Sequence, residues 1–122
     1  MTIFNEKDFN FIDSIIDKIE VKNNCQDFLI SIDYYLANTN PGESPASQII
    51  KLELENVCSF SFHKIDLGID VYTPITISHI SKEYVEAGIK ITIFPVVELL
   101  QKYKTTPPII TCICKNAYIC KE

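Results

Sequence analysis

Residues 48–63 read QIIKLELENVCSFSFH, and their parity decides the fold. Ile50, Leu52, Leu54, Cys58, Phe60 and Phe62 occupy one parity, while Lys51, Glu53, Glu55, Ser59, Ser61 and His63 occupy the other. Successive side chains of a strand point to opposite faces, so this is one strand, or two joined at Glu55-Asn56, with one face buried and one wet. Upstream, residues 27–36 repeat the pattern. Phe28, Ile30, Ile32, Tyr34 and Leu36 form the inner parity, and Asp27, Ser31 and Asp33 the outer. Two half-buried strands with acidic outer faces describe a scaffold before they describe an active site.

The remaining chain is consistent with sheet. Ile is the commonest residue, Val, Tyr, Phe and Thr add to it, and there are only three glycines. The 122 residues form a single domain over 1–122, long enough to bury roughly 65% of the unfolded surface without disulfides or metal. No internal repeat or low-complexity segment is present. Residues 1–18 interleave Asn5, Glu6, Lys7, Asp8 and Asp13 with apolar positions and carry no signal-peptide core. No stretch approaches the ~20 apolar residues of a membrane span. The expected compartment is therefore the cytoplasm, with the five cysteines reduced and Cys25 and Cys58 acting as small core or edge residues.

The net charge is -5, and every basic residue other than the two histidines is a lysine. Arginine supplies the planar fork that grips phosphates and guanine edges. An acidic, arginine-free domain is poorly suited to nucleic acid or phosphoryl transfer. Gly42, Gly68 and Gly88 are too scattered to build a phosphate loop.

Along the chain, residues 2–21 fit both helical spacing and alternation, and predict a short helical or irregular start followed by a strand over 15–22. Asn23-Asn24 supplies a turn, because Asn tolerates the left-handed conformation. Residues 37–47 contain Asn38, Asn40, Pro41, Gly42, Glu43 and Pro45 and predict a long, mobile loop capping a wide hairpin. Short strands follow near 69–73 and 75–80, broken by Pro74. A helical turn is expected over 81–88, with a Ser cap and a Gly stop. A strand over 89–93 precedes a helix over 95–104, whose Val96, Leu99, Leu100 and Tyr103 share a face. A C-terminal hairpin around Lys115-Asn116 pairs 109–114 with 118–120.

Candidate chemistry is sparse. Cys112, Cys114 and Cys120 are the closest approach to a ligand set, but a structural zinc site needs four ligands, usually as two pairs. A two-residue turn sets Cys114 opposite Ala117 and Cys112 opposite Ile119; a three-residue turn sets Cys112 opposite Cys120. Ordinary packing is the expectation, with no metal and no cofactor. His63 continues the wet parity of its strand and His79 follows Ile75 and Ile77 as a half-buried residue. Neither belongs to a ligand or nucleophile motif. If the two long strands pair, Asp27, Asp33, Glu53 and Glu55 share one face with Lys51. An open face keeps carboxylates solvated, where a hydrolase needs them in a cleft with shifted pKa values.

Phe11-Ile12-Asp13-Ser14 ahead of an Ile-rich strand, the stretch over 27–35, and Leu52-Glu53-Leu54-Glu55-Asn56-Val57 leading to Phe60-Ser61-Phe62 together resemble a loose group of small uncharacterised bacterial sheet proteins, some associated with toxin-immunity loci. The resemblance covers the first half of the chain. That group often places His before the Asp-Ser pair, where this chain has Ile12, so no functional residue carries over.

The expectation is a β-rich α+β domain, a mainly antiparallel curled sheet of about six or seven strands with one covering helix near 95–104. Its expected role is non-catalytic binding, as an immunity or antitoxin-like inhibitor of a more basic protein. Asp27, Asp33, Glu53, Glu55, Tyr35 and Glu43 are the expected contact residues, and Tyr34 and Tyr72 further anchors. The alternative is a small-molecule sensor or small enzyme with a pocket between the curled sheet and loop 37–47, using Cys58 or His79. Self-association through an edge strand is a third role.

Overall fold

Alternation carries directly into strand pairing. A computed structural model describes residues 2–36, 46–62, 76–96 and 108–121. Nine strands occur among them: β1 (Thr2–Ile3), β2 (Ile15–Lys22), β3 (Asp27–Leu36), β4 (Ala46–Glu55), β5 (Ser59–Phe62), β6 (Ile77–Val85), β7 (Gly88–Pro95), β8 (Ile110–Cys114) and β9 (Asn116–Lys121). They form two antiparallel sheets, a five-stranded one ordered β1-β9-β4-β3-β2 and a four-stranded one ordered β5-β8-β7-β6. The only helical element among the described residues is a 3-10 turn, Glu6–Asp8, whose Lys7 amide donates to the Asn5 side chain at 3.1 Å. The fold is β-rich, as the composition predicts.

The two best strands of the sequence pair with each other, from Phe28 against Leu54 to Leu36 against Ala46. Of the expected loop over 37–47, Ala46 and Ser47 already belong to β4, and residues 37–45 lie outside the described residues. The Asn23-Asn24 turn also forms: Lys22 pairs with Asp27, and Asn23, Asn24 and Cys25 take φ of 52, 55 and 68°.

The sheet folds back on itself at two corners. β4 passes into β5 through Asn56, Val57 and Cys58, and β8 passes into β9 through Lys115 alone. β4 pairs with β9 in one sheet and β5 with β8 in the other, so two bent ribbons run side by side through both layers. The Lys115 amide donates to Glu55 O at 3.0 Å and the Cys58 amide to Ile113 O at 2.9 Å, stitching the corners together. This overturns the C-terminal hairpin. Each half of the last ribbon finds a full partner in a different sheet, which a self-paired hairpin would forgo. Cys112 consequently opposes Phe60 and Ile91, and Cys120 opposes Lys51, so neither cysteine alignment expected from a hairpin exists. Nine strands among the described residues exceed the expected six or seven, and β1 is one that the sequence pattern did not single out.

Two further expectations change. Residues 81–85 continue β6, and Glu86-Ala87 make a two-residue turn closed by Val85 against Gly88. Pairing with β7 satisfies the backbone along this segment and overrides its helical caps. Pro95, expected as the first residue of a helix, is the last residue of β7, and the Val96 amide donates to Thr76 O at 2.8 Å. Residues 97–104, and the strand expected at 69–73, lie outside the described residues.

The core fills the space between the layers. Ile30, Ile32, Ile50, Leu52 and Leu54 from the larger sheet meet Ile77, Ile91, Ile93, Ile110, Cys112 and Cys114 from the smaller, all fully buried. Each large aliphatic buried this way contributes about 1.5–3 kcal/mol. The curled sheet expected from the sequence takes the form of two layers, the four-stranded sheet covering the five-stranded one. Phe28 and Phe60 stack at 4.1 Å across the corner. At the other end Phe4 and Phe11 are buried with Phe9 against Tyr34, whose hydroxyl accepts from the Asn10 amide at 3.1 Å. A second seam joins the sheets there: Asp13 N donates to Ile77 O at 3.0 Å and Ile77 N to Ser14 O at 2.7 Å.

Candidate functional site

The outer face of the five-stranded sheet follows from its register. Strand β3 presents Asp27, Leu29, Ser31, Asp33 and Tyr35 on one face. Their cross-strand neighbours include Glu53 opposite Leu29 and Lys51 opposite Ser31 on β4, and Glu20 opposite Leu29 and Lys18 opposite Ser31 on β2. The structure therefore brings Asp27, Asp33, Glu53, Glu55 and Tyr35 onto one face, all half-buried, with Glu20 added. Glu43 and Tyr72 lie outside the described residues. Tyr34 points the other way, into the aromatic cluster beneath the sheet.

Lysines interleave with these carboxylates. Lys18 and Glu20 pair at 2.7 Å, which lowers the pKa of Glu20 and raises that of Lys18 through their hydrogen bond first and their charges second. Lys51 stands on β4 two residues from Glu53 and opposite Ser31 of β3. Beneath the charged groups, Leu29 and Ser31 are buried, and Ser31 Oγ and Asp33 Oδ1 are buried without a hydrogen-bond partner. The face is thus less open than alternation alone suggests.

Asp27 has a structural task. Its side chain accepts from Asn23 Nδ2 across the β2–β3 turn and from the Asn56 amide, at 3.0 Å, at the β4–β5 corner. Those two bonds, Asn23 first, hold its carboxyl below the usual carboxylate range.

The imidazole and thiol groups are placed differently. His63 lies outside the described residues. His79 is exposed and stacks on Phe94 at 4.4 Å, because an irregularity between Ile77 and His79 turns it away from the parity of Ile77. Cys25, Cys58 and Cys120 are exposed, while Cys112 and Cys114 are buried side by side on β8. Among the described residues, no cluster of three or more His, Cys, Asp or Glu is arranged to hold a metal ion.

An open depression of about 460 Å³ lies beside β1, lined by Thr2, Ile3, Asp8, Phe9, Ile119, Cys120 and Lys121. Lys121 Nζ stands 5.6 Å from the centre of the Phe9 ring. Sequence reasoning missed this site because it joins the two ends of the described chain, which only the pairing of Thr2 with Ile119 brings together. The pocket expected against loop 37–47 involves residues outside those described. Among the described residues no helix is long and apolar enough to cross a membrane.

Comparison of the chain with protein families, with curated proteins and with solved structures finds no match.

Proposed function

We propose that this chain is a non-catalytic binding domain that engages a more basic protein through the outer face of its five-stranded sheet. The observation that carries the proposal is the register of β3 on β4, which gathers Asp33, Glu53, Glu55 and Tyr35 on a surface of a chain with net charge -5. Asp27 contributes charge to that face but is engaged at the corner. The interleaved lysines make the surface a pattern rather than a uniform acidic patch, so it favours a partner whose cations fall between them. An immunity-like or antitoxin-like inhibitor in the cytoplasm is the finer form of this proposal.

The test is kinetic. The partner is recovered from the native host by affinity capture on the intact chain, and its association is timed by stopped flow at several salt concentrations. Glu53→Lys with Glu55→Lys should slow association about tenfold at low salt and flatten its salt dependence, because steering acts on the encounter. Equal rates for the reversed and native chains would place the contact elsewhere.

A further inference from the structure

Strand β2 is an edge of the five-stranded sheet, and among the described residues it pairs along its length only with β3. On its other side, an isolated bridge from Ile15 to Thr76 occupies the first residue. Half of the amides and carbonyls of an edge strand point away from its sheet and can pair with a further strand. Two rows of side chains flank that edge. Lys18, Glu20 and Lys22 share the outer face, opposite Ser31, Leu29 and Asp27 of β3, and Ile16, Ile19 and Val21 share the inner face, opposite Ile32, Ile30 and Phe28. Ile16 and Ile19 are half-buried, but Val21 is 53% exposed although it stands on the face that the core covers. A strand added at this edge would cover it.

The strand carries two devices that commonly guard edges, lysines and an irregularity between Ile16 and Lys18. Here the lysines alternate with a glutamate, so the edge repels a strand with cations at the facing positions and accepts one with carboxylates there. The strand itself has that pattern. When two copies pair antiparallel about a two-fold axis, residues equally far from the axis face each other. With the axis at Ile19, Lys18 of each copy faces Glu20 of the other and Ile19 faces Ile19. Asp17 is the extra residue of the irregularity, and once it is passed over, Val21 of one copy meets Ile16 of the other. Lys18 and Glu20 already pair at 2.7 Å within one copy, so the two copies make a square of alternating charge. Neighbouring registers are worse. An axis at Glu20 sets Glu20 against Glu20 and Lys18 against Lys22, and an axis at Val21 runs into the turn at Asn23, whose φ is 52°.

We propose that this chain self-associates as a two-fold dimer through β2, joining two five-stranded sheets into one continuous sheet with Lys18 and Glu20 facing across the seam. The occupant of the edge is a second copy because charge complementarity and the apolar row are both met by the same strand reversed. A single strand pair lies at the low end of interface size, so the dimer is a transient one. It forms at the rim of the sheet and without any basic partner, so it stands or falls separately from the contact proposed for the outer face.

The test is sedimentation velocity of the full chain alone over a range of concentrations. The native chain should pass from monomer to dimer as concentration rises. Lys18→Glu leaves two carboxylates in the seam and Glu20→Lys leaves two ammonium groups, so each variant alone meets like charge at both facing positions. Its dimerisation should weaken at least about tenfold. An equimolar mixture of the two variants should restore the dimer, since every carboxylate then faces an ammonium. Circular dichroism of each variant checks that it is folded. The proposal is overturned if the native chain stays monomeric up to its highest soluble concentration or grows beyond a dimer. It is equally overturned if the folded single variants dimerise as well as the native chain, or if their mixture associates no better than either alone.

Discussion

The two corners do the same job by different means. Each carries a ribbon from the five-stranded to the four-stranded sheet, and they lie against each other through the bond from Lys115 N to Glu55 O. The β4–β5 corner is marked in its own sequence by Asn56, which takes φ of 54°, and is tied to the start of β3, where Asp27 accepts the Asn56 amide. The β8–β9 corner spends a single residue, Lys115, and depends on a neighbour. Gly88, at the head of β7, has φ of 141° and lies so close that an added Cβ would stand 2.3 Å from Cys114 O. A corner marked by a residue that tolerates a left-handed backbone is visible in the chain; one fixed only by the approach of an adjacent strand is not.

The largest effect should come from the second corner. Gly88→Ala places a methyl against backbone that cannot retreat and forces an L-residue into a strained φ. A loss of about 3 kcal/mol or more in urea unfolding is expected. A loss under about 1 kcal/mol would mean that the ribbon shifts freely at Lys115, and the contrast between the corners would collapse.

A smaller loss is expected at the first corner. Asp27→Ala removes the acceptor for the Asn56 amide and for Asn23, at a site where water can replace both bonds, so the urea midpoint should fall, but by less than for Gly88→Ala. The same measurement on an Asn56→Ala variant would show whether the left-handed residue or its acceptor matters more.

The smallest effect is the dependence of the first corner on pH. Because the pKa of Asp27 is lowered by folding, its contribution is fully present above the unfolded value of about 3.9 and is lost as pH falls through that value toward the folded pKa. The stability gap between the native chain and Asp27→Ala should therefore hold from neutral pH to about pH 5 and narrow below about pH 4. A gap that stays constant down to pH 2 would assign the effect to packing.

Much of the candidate interface was readable for the same reason as the first corner. Parity alone placed Asp27, Asp33, Glu53 and Glu55 on one face once β3 and β4 paired. Parity did not reveal that Leu29 and Ser31 on that face are buried, since burial there depends on what packs above the strand. The bond that Lys82 Nζ donates to Phe4 O was equally hidden, since only the fold brings residues 4 and 82 together. The depression beside β1 required residues 2 and 121 to meet.

By itself, the order of apolar and polar residues determined the β-rich class, the long β3–β4 pair and its faces, the Asn23-Asn24 turn and the break at Asn56. Each of these is written within a few residues, in side-chain period or in tolerance of a left-handed backbone. Tertiary structure alone decided that β8 and β9 part into different sheets, that residues 81–85 extend a strand, and which strands make up the layer that covers the first sheet. These outcomes depend on which distant backbone supplies the missing hydrogen-bond partners and which apolar face is free to be buried, and both are properties of the assembled chain.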